Sequence, residues 1–212
     1  MGEVPPRTRS AYVRDARTCA TDVRNPPATS KVGAVADWDV LRTLIRERAY
    51  VTGDFVLSSG QRASWYFDLR RLTLDGEAAP LVGRVMRDVT SSVSYDAVGG
   101  LTLGADPVAG SMLHAAAAAG DRLDSFVVRK AGKAHGLQRR IEGPDVRGRK
   151  VLAVEDTSTT GESVLTAVGA LRAEGAEVVA VAVIVDRGAR THVEAAGLPY
   201  FAAFDLSDLD LG

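Results

Sequence analysis

The sequence predicts an α/β fold: a doubly wound, mainly parallel sheet flanked by helices, with a small element appended at the N-terminus. Three observations carry that prediction. Residues 151–154 and the β-branched run 178–185 are short and continuously apolar, the composition of strands buried on both faces. Segments with apolar residues at helical spacing alternate with such runs, the pattern that makes parallel strands with helical crossovers. Acids, glycines and an arginine stand where these runs end, at the carboxyl edge where open α/β sheets place their ligand crevices.

The bulk properties bound the function. A chain of 212 residues suits one domain with an appended element. Its 26 Lys and Arg balance 27 Asp and Glu, so no global field recruits nucleic acid or an anionic membrane, and any anion must be held by a local cluster. The single Cys19 cannot form an internal disulfide, which fits a reducing cytoplasm. No apolar run approaches the length of a membrane span, and the arginine-containing N-terminus lacks the apolar core of a signal peptide.

Residues 1–33 carry Pro5, Pro6, Pro26 and Pro27, scattered charges and few large apolar side chains. They cannot bury enough surface to fold and are expected to be a disordered extension, leaving 34–212 as the folded domain. Residues 35–50 read as a helix with an apolar stripe of Val40, Leu41, Leu44 and Ile45, with Asp37 near its N-cap and Gly53 ending it. Residues 55–57 and 65–67 read as a hairpin, followed at its exit by Asp68, Arg70 and Arg71. Residues 77–93 form a second helix with Leu81, Val82, Val85, Met86 and Val89 inward. Residues 96–101 are the first core strand, ending in Gly99 and Gly100, where a ligand or another backbone can come close. A loop over 102–106 leads into a helix of small residues whose first turn accommodates Pro107; His114 lies within it and reads as structural. The next strand covers 125–129. After the 151–154 strand, its helix and the 178–185 strand come a short helix at 191–196 and an edge strand at 199–204.

Three stretches carry chemistry. In the first, the apolar run 151–154 ends in Glu155 and Asp156, then Thr157, Ser158, Thr159, Thr160, Gly161, Glu162 and Ser163, where a helical pattern begins. A hydroxyl-rich loop at a helix N-terminus offers donors for a phosphate, and the acids offer acceptors for sugar hydroxyls or a metal. Together they point to a phosphorylated sugar. Neither G-x-x-x-x-G-K-[ST] nor G-x-G-x-x-G is present. The second stretch, 129–143, holds Arg129, Lys130, Lys133, His135, Arg139 and Arg140 before its first acid, Glu142. Such a run repels itself unless it is solvated or paired with an anion. No second His or Cys at ligand spacing supports a metal role for His135. In the third, Arg187 follows the 178–185 strand, and its planar fork at a strand's carboxyl end suits a carboxylate.

The first stretch resembles the phosphoribosyl diphosphate signature of the type I phosphoribosyltransferases. The second matches the flexible catalytic loop of the orotate members of that family in its Arg-Lys-x-x-Lys-x-His-Gly pattern, and FVLSSGQRASWYFDLR is similar to their N-terminal hood. The resemblance spans roughly residues 35–205. It implies the type I phosphoribosyltransferase fold, with a hood at about 34–74 over a core at about 75–212. It implies transfer of ribose 5-phosphate from 5-phosphoribosyl 1-diphosphate to orotate, giving orotidine 5′-phosphate and diphosphate for pyrimidine biosynthesis, with Mg²⁺ as cofactor. By it, Arg129, Lys130, Lys133, His135, Glu155, Asp156 and the loop Thr157 to Ser163 hold the donor, and Lys133, His135 and Asp156 are catalytic. Thr159, Arg187, Tyr66 and Phe67 meet orotate, and no residue of the chain is expected as a metal ligand. A cytoplasmic homodimer is implied, with Lys133 and His135 closing over the neighbour's site. Two lysines common in the family are absent: Ser58 and Gly104 stand in their places.

Overall fold

The computed structural model describes residues 31–56, 62–130 and 140–210. Residues 1–30, 57–61 with Ser58, 131–139 with Lys133 and His135, and 211–212 lie outside them.

The chain opens with helix α1 (Lys31–Leu44), which passes into a π turn (Ile45–Ala49). Leu41, Leu44 and Ile45 are buried at i, i+3 and i+4 spacing, as expected, but Val40 is 45 % exposed, because it sits about 100° round the helix from Leu41. Asp37 does not cap: its carboxylate takes Arg84 Nε at 2.6 Å and Nη2 at 3.0 Å, joining α1 to the next long helix. Nor does Gly53 end the helix. Tyr50 already belongs to strand β1 (Tyr50–Val56), which pairs antiparallel with β2 (Arg62–Phe67). The register slips between Thr52 and Phe55, so Gly53 marks a bulge. Pairing of Tyr50, Val51 and Thr52 with the aromatic run 65–67 outweighs the local helical pattern.

A single turn, α2 (Arg70–Thr73), leads to α3 (Ala78–Val89). Then follow β3 (Ala97–Leu101), α4 (Ala105–Ala118), β4 (Asp124–Val128), the short β5 (Ile141–Glu142), β6 (Lys150–Ser158), α5 (Glu162–Ala173), β7 (Glu177–Asp186), α6 (Arg190–Ala195) and β8 (Tyr200–Asp205). A 3₁₀ turn (Leu206–Leu209) closes the described chain.

The main sheet has the order β5-β4-β3-β6-β7-β8, parallel except for the β4/β5 pair. Both faces are covered. Leu152, Val154, Ala180 and Ala182 face a core shared with α1, α3 and α4, while Val151, Ala153, Val181 and Val183 face another shared with α5. Alternate residues of one strand thus bury on opposite sides, which is why β6 and β7 read as unbroken apolar runs. Gly99 and Gly100 serve this packing: a Cβ on either would overlap a backbone carbonyl of β4 or β6.

The chain leaves β3 toward β4 and β5, then returns to β6 on the other side of β3. The winding therefore reverses between β3 and β6, and a crevice opens beyond their carboxyl ends.

Candidate active site

The loops after β3 and β6 meet in that crevice. They line a cleft of about 340 Å³ together with Phe67, Arg70 and Lys130. From the β3 side come Leu101, Thr102, Leu103 and Gly104; from the β6 side come Glu155, Asp156, Thr157 and Ser163. The peptide between Thr102 and Leu103 is cis. The hairpin supplies Phe67, and the turn after it supplies Arg70.

Glu155 and Asp156 end the buried part of β6, and the strand carries them away from water. The Glu155 carboxyl is pushed up to about 8, first by burial, then by the charge of Asp156, with Asp106 adding to it. Burial raises Asp156 as well, opposed by the hydrogen bond its Oδ1 accepts from Thr157 N at 2.7 Å and by the Arg70 charge. Asp106 is held from the β3 side. Its Oδ2 accepts from Thr102 Oγ1 at 2.6 Å, and its buried Oδ1 has no hydrogen-bond partner among the described residues. Two acids thus converge on Gly104, where a Cβ would overlap Glu155 Oε1 and crowd Asp156 Oδ1. Carboxylates poised like this accept hydrogen bonds from hydroxyls or coordinate a hard cation.

Beyond Asp156 the strand continues through Thr157 and the buried Ser158, then turns. Thr159 and Thr160 are exposed, and Gly161 takes φ +79° as the N-cap of α5. That left-handed residue reverses the chain, so the first N–H groups of α5 point back at the cleft, with Ser163 on its lining. Glu162, the first helical residue, is exposed.

Lys130 enters the cleft from the end of β4. Arg129, next to it, does not line the cleft. Its Nη1 lies 3.5 Å from Glu142 Oε1, its N–H donates to the Arg140 carbonyl at 2.7 Å, and its carbonyl accepts from the Arg140 guanidinium. Arg129 and Arg140 thereby tie β4 to β5 at the stem of the basic stretch.

Arg187 follows the end of β7 and is not among the residues that line the cleft; it packs on Trp65, which packs on the cleft residue Phe67. Asp186, buried, accepts from Gly188 N at 3.0 Å, Ala189 N at 2.8 Å and Tyr200 Oη at 3.1 Å, and so fixes the turn. Burial, with the Asp186 charge beside it, raises the Tyr200 phenol, so it remains a donor. The Arg187 guanidinium lies 4.9 Å from the centroid of Trp65, and its buried Nε has no hydrogen-bond partner among the described residues. Burial lowers its pKa. A half-buried cation held only by a π face suits a planar anion.

The hairpin brings one of its two expected aromatics here. Phe67 lines the cleft and packs on Trp65 with ring centroids 5.6 Å apart. Tyr66 projects to the other face, edge-on to Phe55 at 4.7 Å. Trp65 and Arg70 are residues the sequence did not single out as site residues. Strand alternation places Trp65 with Phe67, and Arg70 stands beside Asp68 in a turn too short to show periodicity. Among the described residues no cluster of three or more His, Cys, Asp or Glu is arranged to hold a metal, and no helix is long and apolar enough to cross a membrane.

Comparison with known proteins agrees with this geometry. Residues 82–198 match the family described as "Phosphoribosyl transferase domain". The chain is 65 % identical over 170 residues to the orotate phosphoribosyltransferase of Streptomyces avermitilis, covering 79 % of this chain and 93 % of that one. It is also similar to the crystal structure of Mycobacterium tuberculosis orotate phosphoribosyltransferase in complex with Fe(III) dicitrate, at 52 % identity and TM-score 0.75 over 82 % of this chain and 99 % of the other. The complex of the M. tuberculosis enzyme with 5-phospho-α-D-ribosyl 1-diphosphate gives 48 % identity and TM-score 0.72, with the same coverage.

Proposed function

The chain belongs to the orotate phosphoribosyltransferase family, and on that premise we propose how its residues carry the family's reaction. It transfers ribose 5-phosphate from 5-phosphoribosyl 1-diphosphate to orotate, a step of pyrimidine biosynthesis. The bond between the anomeric carbon and the diphosphate oxygen breaks, the carbon bonds to a ring nitrogen of orotate, which gives up its proton to solvent or to the leaving group, and diphosphate leaves with the electron pair of the broken bond. What supports the residue assignment above all is the acid pair Glu155–Asp156 at the β3/β6 switch point, with a helix N-terminus on one side and cations on the other.

The loop Thr157 to Ser163 and the α5 N–H groups hold the 5′-phosphate. Glu155 and Asp156 accept hydrogen bonds from the ribose hydroxyls and favour the positive charge that grows on the ring as the bond breaks. Lys130, with Lys133 and His135 from the loop, stabilises the leaving diphosphate, and Arg129, outside the cleft, acts instead by tying β4 to β5. The loop also excludes the water that would hydrolyse the donor. Arg187 forks onto the orotate carboxylate, Thr159 makes a second contact, and Phe67 covers the base, while Tyr66, expected beside it, lies on the opposite face of the hairpin.

The all-oxygen donor set fits Mg²⁺, which favours one or two carboxylates plus substrate phosphates. Glu155 and Asp156 would hold it. When bound, it neutralises diphosphate charge. The active unit in this reading is a cytoplasmic homodimer whose sites are shared.

The test is orotate consumption followed by ultraviolet absorbance, with donor and Mg²⁺, alongside adenine, guanine and hypoxanthine. Loss of orotate alone is expected. Consumption of a purine in its place would remove the assignment.

A further inference from the structure

Counting Asp106 behind its wall, the cleft gathers more acidic than basic side chains among the described residues. Glu155 and Asp156 line it, Asp106 stands behind them, and among the described lining residues only Lys130 and Arg70 are cationic. The donor's diphosphate is itself a polyanion, so these acids make its binding costlier unless cations face it. Position 104, a glycine, supplies none. A Cβ there would overlap the Glu155 carboxylate, so a side chain at 104 would require that carboxylate to move.

Arg70 stands where that charge is needed. Its Nε donates to Asp68 Oδ1 at 3.0 Å, which anchors the side chain at the hairpin exit. Neither terminal nitrogen hydrogen-bonds to a described residue, and the side chain is half exposed on the cleft wall. The positive charge already acts on the site, drawing the Asp156 carboxyl down against its burial. The neighbouring Arg71 reaches the same Asp68, with Nε to Oδ2 at 3.7 Å, but does not line the cleft.

We propose that Arg70 binds the donor's diphosphate, supplying with Lys130 the cationic contact that position 104 does not. The assignment rests on the reading that the loop Thr157 to Ser163 takes the 5′-phosphate, which leaves the diphosphate on the Lys130 and Arg70 side of the acids. A guanidinium presents paired donors to phosphate oxygens, and its short tether to Asp68 limits the entropy lost on binding.

Inorganic pyrophosphate binding, measured by calorimetry with Mg²⁺ present, tests it together with steady-state kinetics. Arg70→Gln is expected to weaken pyrophosphate and raise KM for the donor by about tenfold or more. KM for orotate should stay within twofold, and Arg70→Lys should recover part of the loss. Arg71→Gln, which disturbs the same Asp68 contact, should leave both near wild type. Wild-type affinity and donor KM in Arg70→Gln would overturn the proposal while leaving the family reaction intact. Equal losses in Arg70→Gln and Arg71→Gln would also overturn it, by tracing the effect to the hairpin anchor. A wild-type protein that neither binds pyrophosphate nor consumes orotate would overturn both this assignment and the reading beneath it.

Discussion

Glu155 keeps its proton in the folded chain up to about pH 8, whereas the unfolded chain releases it near 4.5. Across that window the folded state binds more protons, so stability falls as pH rises from about 4.5 and the loss is complete above about 8. The cause is placement: β6 carries the carboxyl out of water next to Asp156, with Asp106 nearby. Glu155→Gln removes the penalty. Its melting temperature relative to wild type should be near parity at pH 5 and higher by about 4 °C or more at pH 8.5. Turnover should fall at the same time by about 10²-fold, because the amide no longer offers a carboxylate to the sugar. A constant difference in melting temperature from pH 5 to 8.5 would show that the carboxyl titrates normally. A residue that weakens the empty fold while serving the ligand is the local conflict expected at a functional site. The sequence showed both acids at a strand end. It did not show Asp106 behind them, because that approach brings the first turn of α4 to the end of β6, elements far apart in the chain.

The element that converts this placement into a binding site is the corner between β6 and α5. Gly161 takes φ +79°, and a Cβ there would lie 3.1 Å from Val193 Cγ2. Gly161→Ala should therefore cost about 1–2 kcal/mol by urea unfolding with an unchanged slope, and raise KM for the donor by tilting the first turn of α5. A variant as stable as wild type would mean that the corner relaxes freely. The corner was legible in the sequence because its signals are local: an apolar run, two acids, hydroxyls, a glycine and a helical stripe in order. The hairpin was legible only in part. Alternation fixes that residues 65 and 67 share a face and 66 the other, but not which face meets the sheet. Tertiary packing decided that, putting the Trp65 ring under Arg187. Trp65→Leu should accordingly raise KM for orotate several-fold with KM for the donor unchanged, and Trp65→Phe should restore most of the difference. Equal shifts in both constants would mark Trp65 as general packing. The π turn at Ile45–Ala49 and the strand that follows were missed for a related reason. Residues 35–50 have helical spacing, and only pairing with β2 pulls Tyr50 out of it.

At the scale of the molecule, the order β5-β4-β3-β6-β7-β8 places the crevice before any catalytic residue is considered, since the winding can reverse only once between β3 and β6. The acids of β6 and Lys130 from β4 then belong to one wall system. The pairing of β4 with β5, held by Arg129, Arg140 and Glu142, lies on the side of β4 that faces away from β6. That geometry gives a sharp test of the shared-site homodimer. If Lys133 serves the neighbouring subunit's cleft, a Lys133→Ala chain keeps an intact Asp156 cradle but lends a dead loop. An Asp156→Asn chain does the reverse. Each homodimer should then lose about 10²-fold or more in turnover. When equal amounts are unfolded, mixed and refolded, half the dimers pair unlike chains, and each has one site with both residues intact. Roughly a quarter of wild-type activity should return, since a two-fold interface assorts such chains at random. Recovery should need subunit exchange and be absent when the two folded variants are merely combined for a few minutes. Activity that stays at the level of the separate variants after refolding would place Lys133 in its own chain's cleft. The acids, the loop and Arg187 would then have to form a complete site within one subunit.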